Sequence, residues 1–223
     1  VAFQRDRIAA REGAFKYFLL GSVASGFLLY GFALIYGATG AISLADIAAY
    51  AATGDIAPLY HAGFALALAG FAFKLALVPF HMWAPDAYQA APTPVTAFMA
   101  VGTKAAALVA LARFVWAVVP TQPELADRYM APLAVLAVFS MIVGSLATLF
   151  QTNLKRLLAY SGITHAGYLL MPLVGLQAEG MRLSMFYLFG YMFMSMGAFA
   201  VISALQARGE RGDELEAHHG LYS

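Results

Sequence analysis

Along this chain of 223 residues, six stretches are apolar at nearly every position: residues 14–36, 59–80, 94–119, 132–150, 157–176 and 183–205. A helix on the surface of a soluble protein carries an apolar stripe and a polar back, and these stretches have no polar back. Because ~20 residues rising ~1.5 Å each cross a ~30 Å hydrocarbon core, every stretch predicts a membrane helix. The strands of a membrane barrel alternate over ~10 residues instead, so unbroken apolarity favours helices. Pro58, Pro120, Pro123 and Pro132 fall between the stretches, where a missing amide donor does no harm. Residues 42–56 are less apolar and contain Asp46 and Asp55, which leaves them as a loop or a short helix at the interface. Gly21, Gly26 and Gly31 predict close helix packing, and Pro172 a kink in the fifth span. The pattern is that of an all-α membrane protein, one transmembrane domain over residues 1–223.

Composition narrows the function. The chain is 62% hydrophobic and 11% charged, with a formal net charge of +1. No nucleic acid partner is expected, because binding phosphates needs clustered Lys and Arg on an exposed face. With no cysteine, the chain has no disulfide, thiolate metal site or iron–sulfur ligation, so redox chemistry belongs to other chains. Arg5, Arg7, Arg11, Lys16, Lys155, Arg156, Arg208 and Arg211 fall on one side when successive loops alternate, against Arg113, Arg128 and Arg182 on the other. Positive residues favour the cytoplasmic side, which predicts that both ends are cytoplasmic. The start at Val1 is Arg-rich rather than signal-like, and the chain closes on polar residues, so it reads as an internal piece of a longer protein.

The candidate chemistry lies where charge meets hydrocarbon. All 12 acids fall outside the six apolar cores, but two lysines do not. Lys104 follows Pro94 by about 10 residues, which places it ~15 Å deep, and Lys74 precedes His81 by about seven, or ~10 Å. A lysine at the centre of a spanning helix costs ~2.5–3.5 kcal/mol, so two of them imply a polar interior or a function. Neither has a carboxylate in any span of the chain, which points to an acid on a helix outside it. An amine poised between its two protonation states suits a proton relay. The competing reading is that the lysines only cement helix packing. In the fifth span, Ser161, His165 and Tyr168 share a helical face that can host a hydrogen-bonded chain, with His165 titrating near neutrality; the alternative is a packed histidine. Between spans two and three, Pro79, Pro85, Pro92 and Pro94 forbid a continuous helix. That predicts a broken helix near Pro79–Pro94 at membrane depth, as at ion sites in transporters, or else an interfacial loop with Trp83 and Tyr88 as belt residues. Lys16 and Arg113 are placed to snorkel from span ends, and Lys155-Arg156 reads as an orientation signal.

These residues also carry a family resemblance. Phe73-Lys74-Leu75-Ala76-Leu77-Val78-Pro79-Phe80-His81-Met82-Trp83, then Pro85-Asp86-Ala87-Tyr88-Gln89 and Pro92-Thr93-Pro94-Val95-Thr96-Ala97-Phe98, resemble the subunit N family of bacterial proton-translocating NADH:quinone oxidoreductase, respiratory complex I. Gly102-Thr103-Lys104, Asn153-Leu154-Lys155-Arg156 and His165-Ala166-Gly167-Tyr168 extend the likeness to nearly the whole chain. Ala90 stands where the family pattern leads one to expect glycine. The resemblance implies six helices of an antiporter-like fold built from inverted repeats, one of them broken. It implies that Lys74 pairs with a glutamate falling just before Val1. Lys104 would be the central relay lysine, His165 a link to a second half-channel, and His81, Tyr168 and Ser161 accessory groups.

The function implied is that of a proton-translocating membrane subunit of the bacterial inner membrane, coupled to electron transfer elsewhere. NADH, FMN, iron–sulfur clusters and quinone are expected on partner subunits, and no cofactor on this chain. The expected partners are the other membrane subunits and the lipid bilayer. One alternative is an antiporter-type subunit of a multisubunit Na+/H+ exchanger; another is a purely structural bundle.

Overall fold

The computed structural model describes residues 8–207 and 213–215. The chain runs α1 (Ile8–Thr39), α2 (Leu44–Ala52), α3 (Pro58–Leu75), α4 (Trp83–Ala90) and α5 (Thr93–Phe98). A π turn (Met99–Thr103) leads into α6 (Lys104–Val118), and the chain continues through α7 (Pro123–Thr148), α8 (Leu154–Leu170), a 3-10 turn (Met171–Gly175) and α9 (Ala178–Ala207). Among the described residues, six helical segments are long and apolar enough to cross a membrane: Ala10–Thr39, Pro58–Leu75, Thr93–Val118, Pro123–Thr148, Leu154–Gly175 and Ala178–Gln206. Arg5, Arg7, Arg208 and Arg211, half of the eight charges expected on the cytoplasmic side, lie outside the described residues.

The outer faces of these helices are as apolar as their inner faces. Phe139, Leu149, Phe150, Phe186 and Phe193 are all more than half exposed, which suits hydrocarbon as the outer solvent. Inside, α1 and α3 pack so closely that a Cβ on Gly31 would stand 2.5 Å from Ala67 N and 2.7 Å from the Gly63 carbonyl oxygen. Of the three glycines singled out in the first span, only Gly31 has this role. A Cβ on Gly26 would meet nothing within 4 Å, and one on Gly21 only the Phe73 ring at ordinary contact distance.

Residues 42–56 resolve into the short helix α2, capped by the Ser43 side chain accepting from Ala45 N. The 3-10 turn opens at Met171, immediately before Pro172, which accounts for the end of α8 there. Pro132 does not separate two segments: it lies inside α7, which starts at Pro123. The carbonyl that its missing N–H leaves unbonded belongs to Arg128. Both residues are on the exposed side of α7, in its first half.

The second span breaks earlier than the prolines alone suggest. α3 ends on a left-handed residue, Ala76 (φ 57°). Ala76 N donates to the Phe73 carbonyl at 3.0 Å and Leu77 N to the Ala72 carbonyl at 2.8 Å, a Schellman closure with alanine where glycine is usual. Pro79 explains the stop, since its ring would clash with the Leu75 carbonyl were the helix to continue. The break is then tied down from outside. Trp83 Nε1 donates to the Phe73 carbonyl at 3.0 Å, and Ser140 Oγ of α7 accepts from Val78 N at 3.0 Å. Trp83 and Tyr88 are buried, not interfacial belt residues.

At the end of the bundle holding α4 and the start of α8, Arg156 donates to Asp86 at 2.6 Å and to Gln89 at 3.2 Å, and Lys16 bonds Asp86 at 3.0 Å. Burial by itself would raise the Asp86 carboxyl, but the Arg156 and Lys16 bonds outweigh it and hold the group below its usual range. Lys155 is not a mere orientation signal. Its side chain is 3% exposed, pairs with Asp213 at 3.2 Å and donates to the Ala91 carbonyl at 3.2 Å.

Two variants of the full-length protein test these anchors. Ser140→Ala leaves the Val78 N–H without its acceptor and should cost about 1–3 kcal/mol, read as a lowered unfolding midpoint in detergent; an unchanged midpoint would mean the break holds itself. Asp86→Asn should lower the midpoint by the equivalent of about 1 kcal/mol. Because the Asp86 pKa is depressed, its contribution is present at neutral pH and is lost as the pH falls through and below the usual carboxylate range. The variant should therefore differ from the parent at pH 7 and converge with it in acid.

Candidate functional site: a buried amine and its aromatic neighbours

Lys104 is the first residue of α6, directly after the π turn. A π turn inserts one residue into the helical repeat and rotates the helix beyond it, and such turns are frequent at functional sites. Here Thr103 Oγ1 closes back on the Met99 carbonyl at 2.6 Å, and the next side chain points into the bundle. Lys104 is 3% exposed. Its Nζ donates to the Gly162 carbonyl oxygen of α8 at 2.5 Å and lies 5.4 Å from the centre of the Tyr191 ring of α9.

Glycine at 162 makes that approach possible: a Cβ there would stand 3.3 Å from Lys104 Nζ and 3.1 Å from the Tyr191 hydroxyl. The Tyr191 ring also lies 5.2 Å from the His165 imidazole, so one aromatic ring neighbours both the amine and the histidine. His165 Nδ1 in turn sits 2.6 Å from the Tyr187 hydroxyl, a hydrogen bond in which either atom can carry the proton. Amine, phenol ring, imidazole and phenol hydroxyl thus form one contiguous array, drawn from α6, α8 and α9.

The other sequence-predicted residues distribute unevenly. Tyr168 stacks edge-on to His165 at 5.8 Å and is 40% exposed. Ser161 is partly buried on the same helix, but the hydroxyl that bonds the imidazole is that of Tyr187, so α8 alone does not build the chain that its spacing suggested. His81 is half-buried in the break, its ring 6.5 Å from Tyr160 and its Nδ1 without a partner among the described residues.

Lys74 lies in the last turn of α3 on a face left exposed among the described residues, and the acid expected opposite it belongs to a helix outside this chain. The C-terminal end of a helix dipole favours a cation there. The ion pairs among the described residues involve Lys16, Lys155, Arg156 and Arg182, not Lys74 or Lys104. Tyr187 and Tyr191 escaped the sequence reading because tyrosines in an apolar helix are ordinary packing residues; a π turn leaves no sequence signature either.

Residues 1–223 match the family described as NADH:quinone oxidoreductase/Mrp antiporter, transmembrane. The chain belongs to this family. Within the NADH:quinone oxidoreductase/Mrp antiporter family it is 52% identical to NADH-quinone oxidoreductase subunit N 1 of Symbiobacterium thermophilum, over 100% of this chain and 46% of the relative. It is 46% identical to subunit N of Chloroflexus aggregans, over 99% of this chain and 45% of the relative. The chain therefore spans a little under half the length of these relatives.

Solved structures with a similar fold include respiratory complex I from Thermus thermophilus (45% identity, TM-score 0.73, 91% of this chain and 42% of that one). An archaeal membrane-bound sulfane sulfur reductase matches with TM-score 0.86 and 33% identity, over 97% of this chain and 43% of that one. The Mrp complex of a Dietzia species matches with TM-score 0.82 and 26% identity, over 93% and 37%. The antiporter-like fold is thus common to a respiratory complex I, a membrane-bound sulfane sulfur reductase and an Mrp complex.

If the glycine is there to seat the amine, Gly162→Val should displace Lys104 and lower coupled turnover of the assembled protein by roughly tenfold, ~1.4 kcal/mol on the rate-limiting barrier. Gly190→Ala in α9 is the control, since a Cβ there meets nothing within 4 Å. Equal loss in both variants, or in neither, would separate Gly162 from the function.

Proposed function

We propose that this chain is part of a subunit N-type membrane subunit of NADH:quinone oxidoreductase, and that it relays protons across the bacterial inner membrane during electron transfer elsewhere in the complex. The observation that carries this reading is Lys104: an amine sealed among helices, without a carboxylate partner among the described residues, touching a ring that also touches a histidine. An ionisable group placed so is costly, and intramembrane ionisable groups by default mark ion or proton paths.

In this reading Lys104 holds the central proton and the Tyr191 ring keeps water from short-circuiting it. His165 with Tyr187 accepts or returns a proton on the side of α8 and α9. Lys74 takes part from the end of the broken helix, opposite an acid supplied by another helix of the full protein. His81, Tyr168 and Ser161 are accessory. Nicotinamide, flavin, iron–sulfur clusters and quinone sit on partner subunits, and both ends of this stretch face the cytoplasm.

Identity favours this reading over an Mrp-type exchanger, 52% against 26%, although the TM-score to the Mrp complex is higher than that to the complex I structure. In vesicles holding the whole complex, Lys104→Ala should cut proton pumping driven by NADH about tenfold or more, and Lys74→Ala should cut it too. Normal pumping with normal turnover in Lys104→Ala would remove the assigned role. Sodium-dependent proton exchange without NADH activity would favour the exchanger.

A further inference from the structure

Arg113 has no part in the proton relay. It is exposed, and it makes no ion pair among the described residues. It sits five residues from the end of α6 at Val118, so roughly 7.5 Å of helix separates it from that terminus. At this depth a guanidinium reaches the headgroup level along its own stem.

Two apolar clefts open on either side of it. One, of about 650 Å³, lies between α1, α2 and α6, walled by Phe32, Ile35 and Phe114. The other, of about 1030 Å³, lies between α2, α6 and α9, walled by Trp116 and Met185 and reached by Arg182. Leu44 and Arg113 line both. Trp116 is 51% exposed on the same turn of α6, an aromatic of the kind that marks the membrane–water boundary.

We propose that the paired clefts bind one diacyl phospholipid with a net negative head: its phosphodiester on Arg113, with Arg182 at the rim, and one acyl chain in each cleft. The charge pattern selects this occupant. One cation between two apolar slots matches one anionic head carrying two apolar limbs. Arginine takes a phosphodiester through parallel N–H bonds, with geometry as well as charge. A zwitterionic lipid carries an ammonium that offsets its own phosphodiester beside Arg113, and an apolar protein helix would leave Arg113 uncompensated; Arg182 at the rim is already paired with Glu179 at 3.4 Å. The site is independent of the proton relay, and failure of either leaves the other standing.

The test uses the whole complex in membranes, with photoactivatable phosphatidylglycerol and photoactivatable phosphatidylcholine as probes. Phosphatidylglycerol adducts should map to the walls near Phe32 and Trp116, in several-fold excess over phosphatidylcholine. Arg113→Gln should remove that excess and Arg113→Lys should keep part of it, with NADH-driven turnover in the assembled complex intact in both. Equal labelling by the two lipids would overturn the proposal without any variant. So would an excess unchanged by Arg113→Gln, or protein crosslinks from Ile42→Cys showing that another segment fills the clefts.

Discussion

An amine enclosed by helices, with no carboxylate partner among the described residues, is the constraint around which this structure is arranged. Seating a lysine at the centre of a spanning helix costs ~2.5–3.5 kcal/mol. A hydrogen bond from a charged donor returns ~1.5–3 kcal/mol, and an aromatic face ~2 when desolvated. The Gly162 carbonyl and the Tyr191 ring therefore offset part of the cost of seating Lys104. A carboxylate beside the amine would fix it charged, and a wholly apolar pocket would fix it neutral.

The surrounding fold serves that placement. The π turn swings Lys104 inward, and Gly162 leaves room for its tip. Tyr191 comes from α9, which is fastened to the neighbouring helix by Ser184 donating to the Leu169 carbonyl at 2.9 Å. The broken span, α3 and α4, is anchored by Trp83 and Ser140 at the break, and by Arg156, Lys16 and Lys155 toward α5. Local irregularity at membrane depth is tolerated because each freed backbone group named here finds a donor or acceptor inside the protein.

Much of this was legible in the residues, and the limits are physical. Continuous apolarity identifies helices whatever their neighbours, so the six long helices and the break were readable, and Lys104 and His165 stood out as ionisable groups in apolar surroundings. Depth along a helix gives height and not face, so which neighbours Lys74 meets was not readable: among the described residues its face is exposed. Lys155 looked like a surface charge because its partner Asp213 is remote in sequence and meets it only through tertiary packing. Tyr187 and Tyr191 carry no signal at all until α9 is laid against α8.

The most direct test of the central claim sets stability against function at Lys104. Replacing a buried, incompletely compensated charge by an apolar side chain of similar volume is commonly neutral or stabilising. In Lys104→Met the assembled protein should therefore unfold at the same or a higher temperature, while the protons moved per NADH oxidised fall. A variant that unfolds earlier and still pumps at the parental ratio would make Lys104 a packing residue and contradict the account.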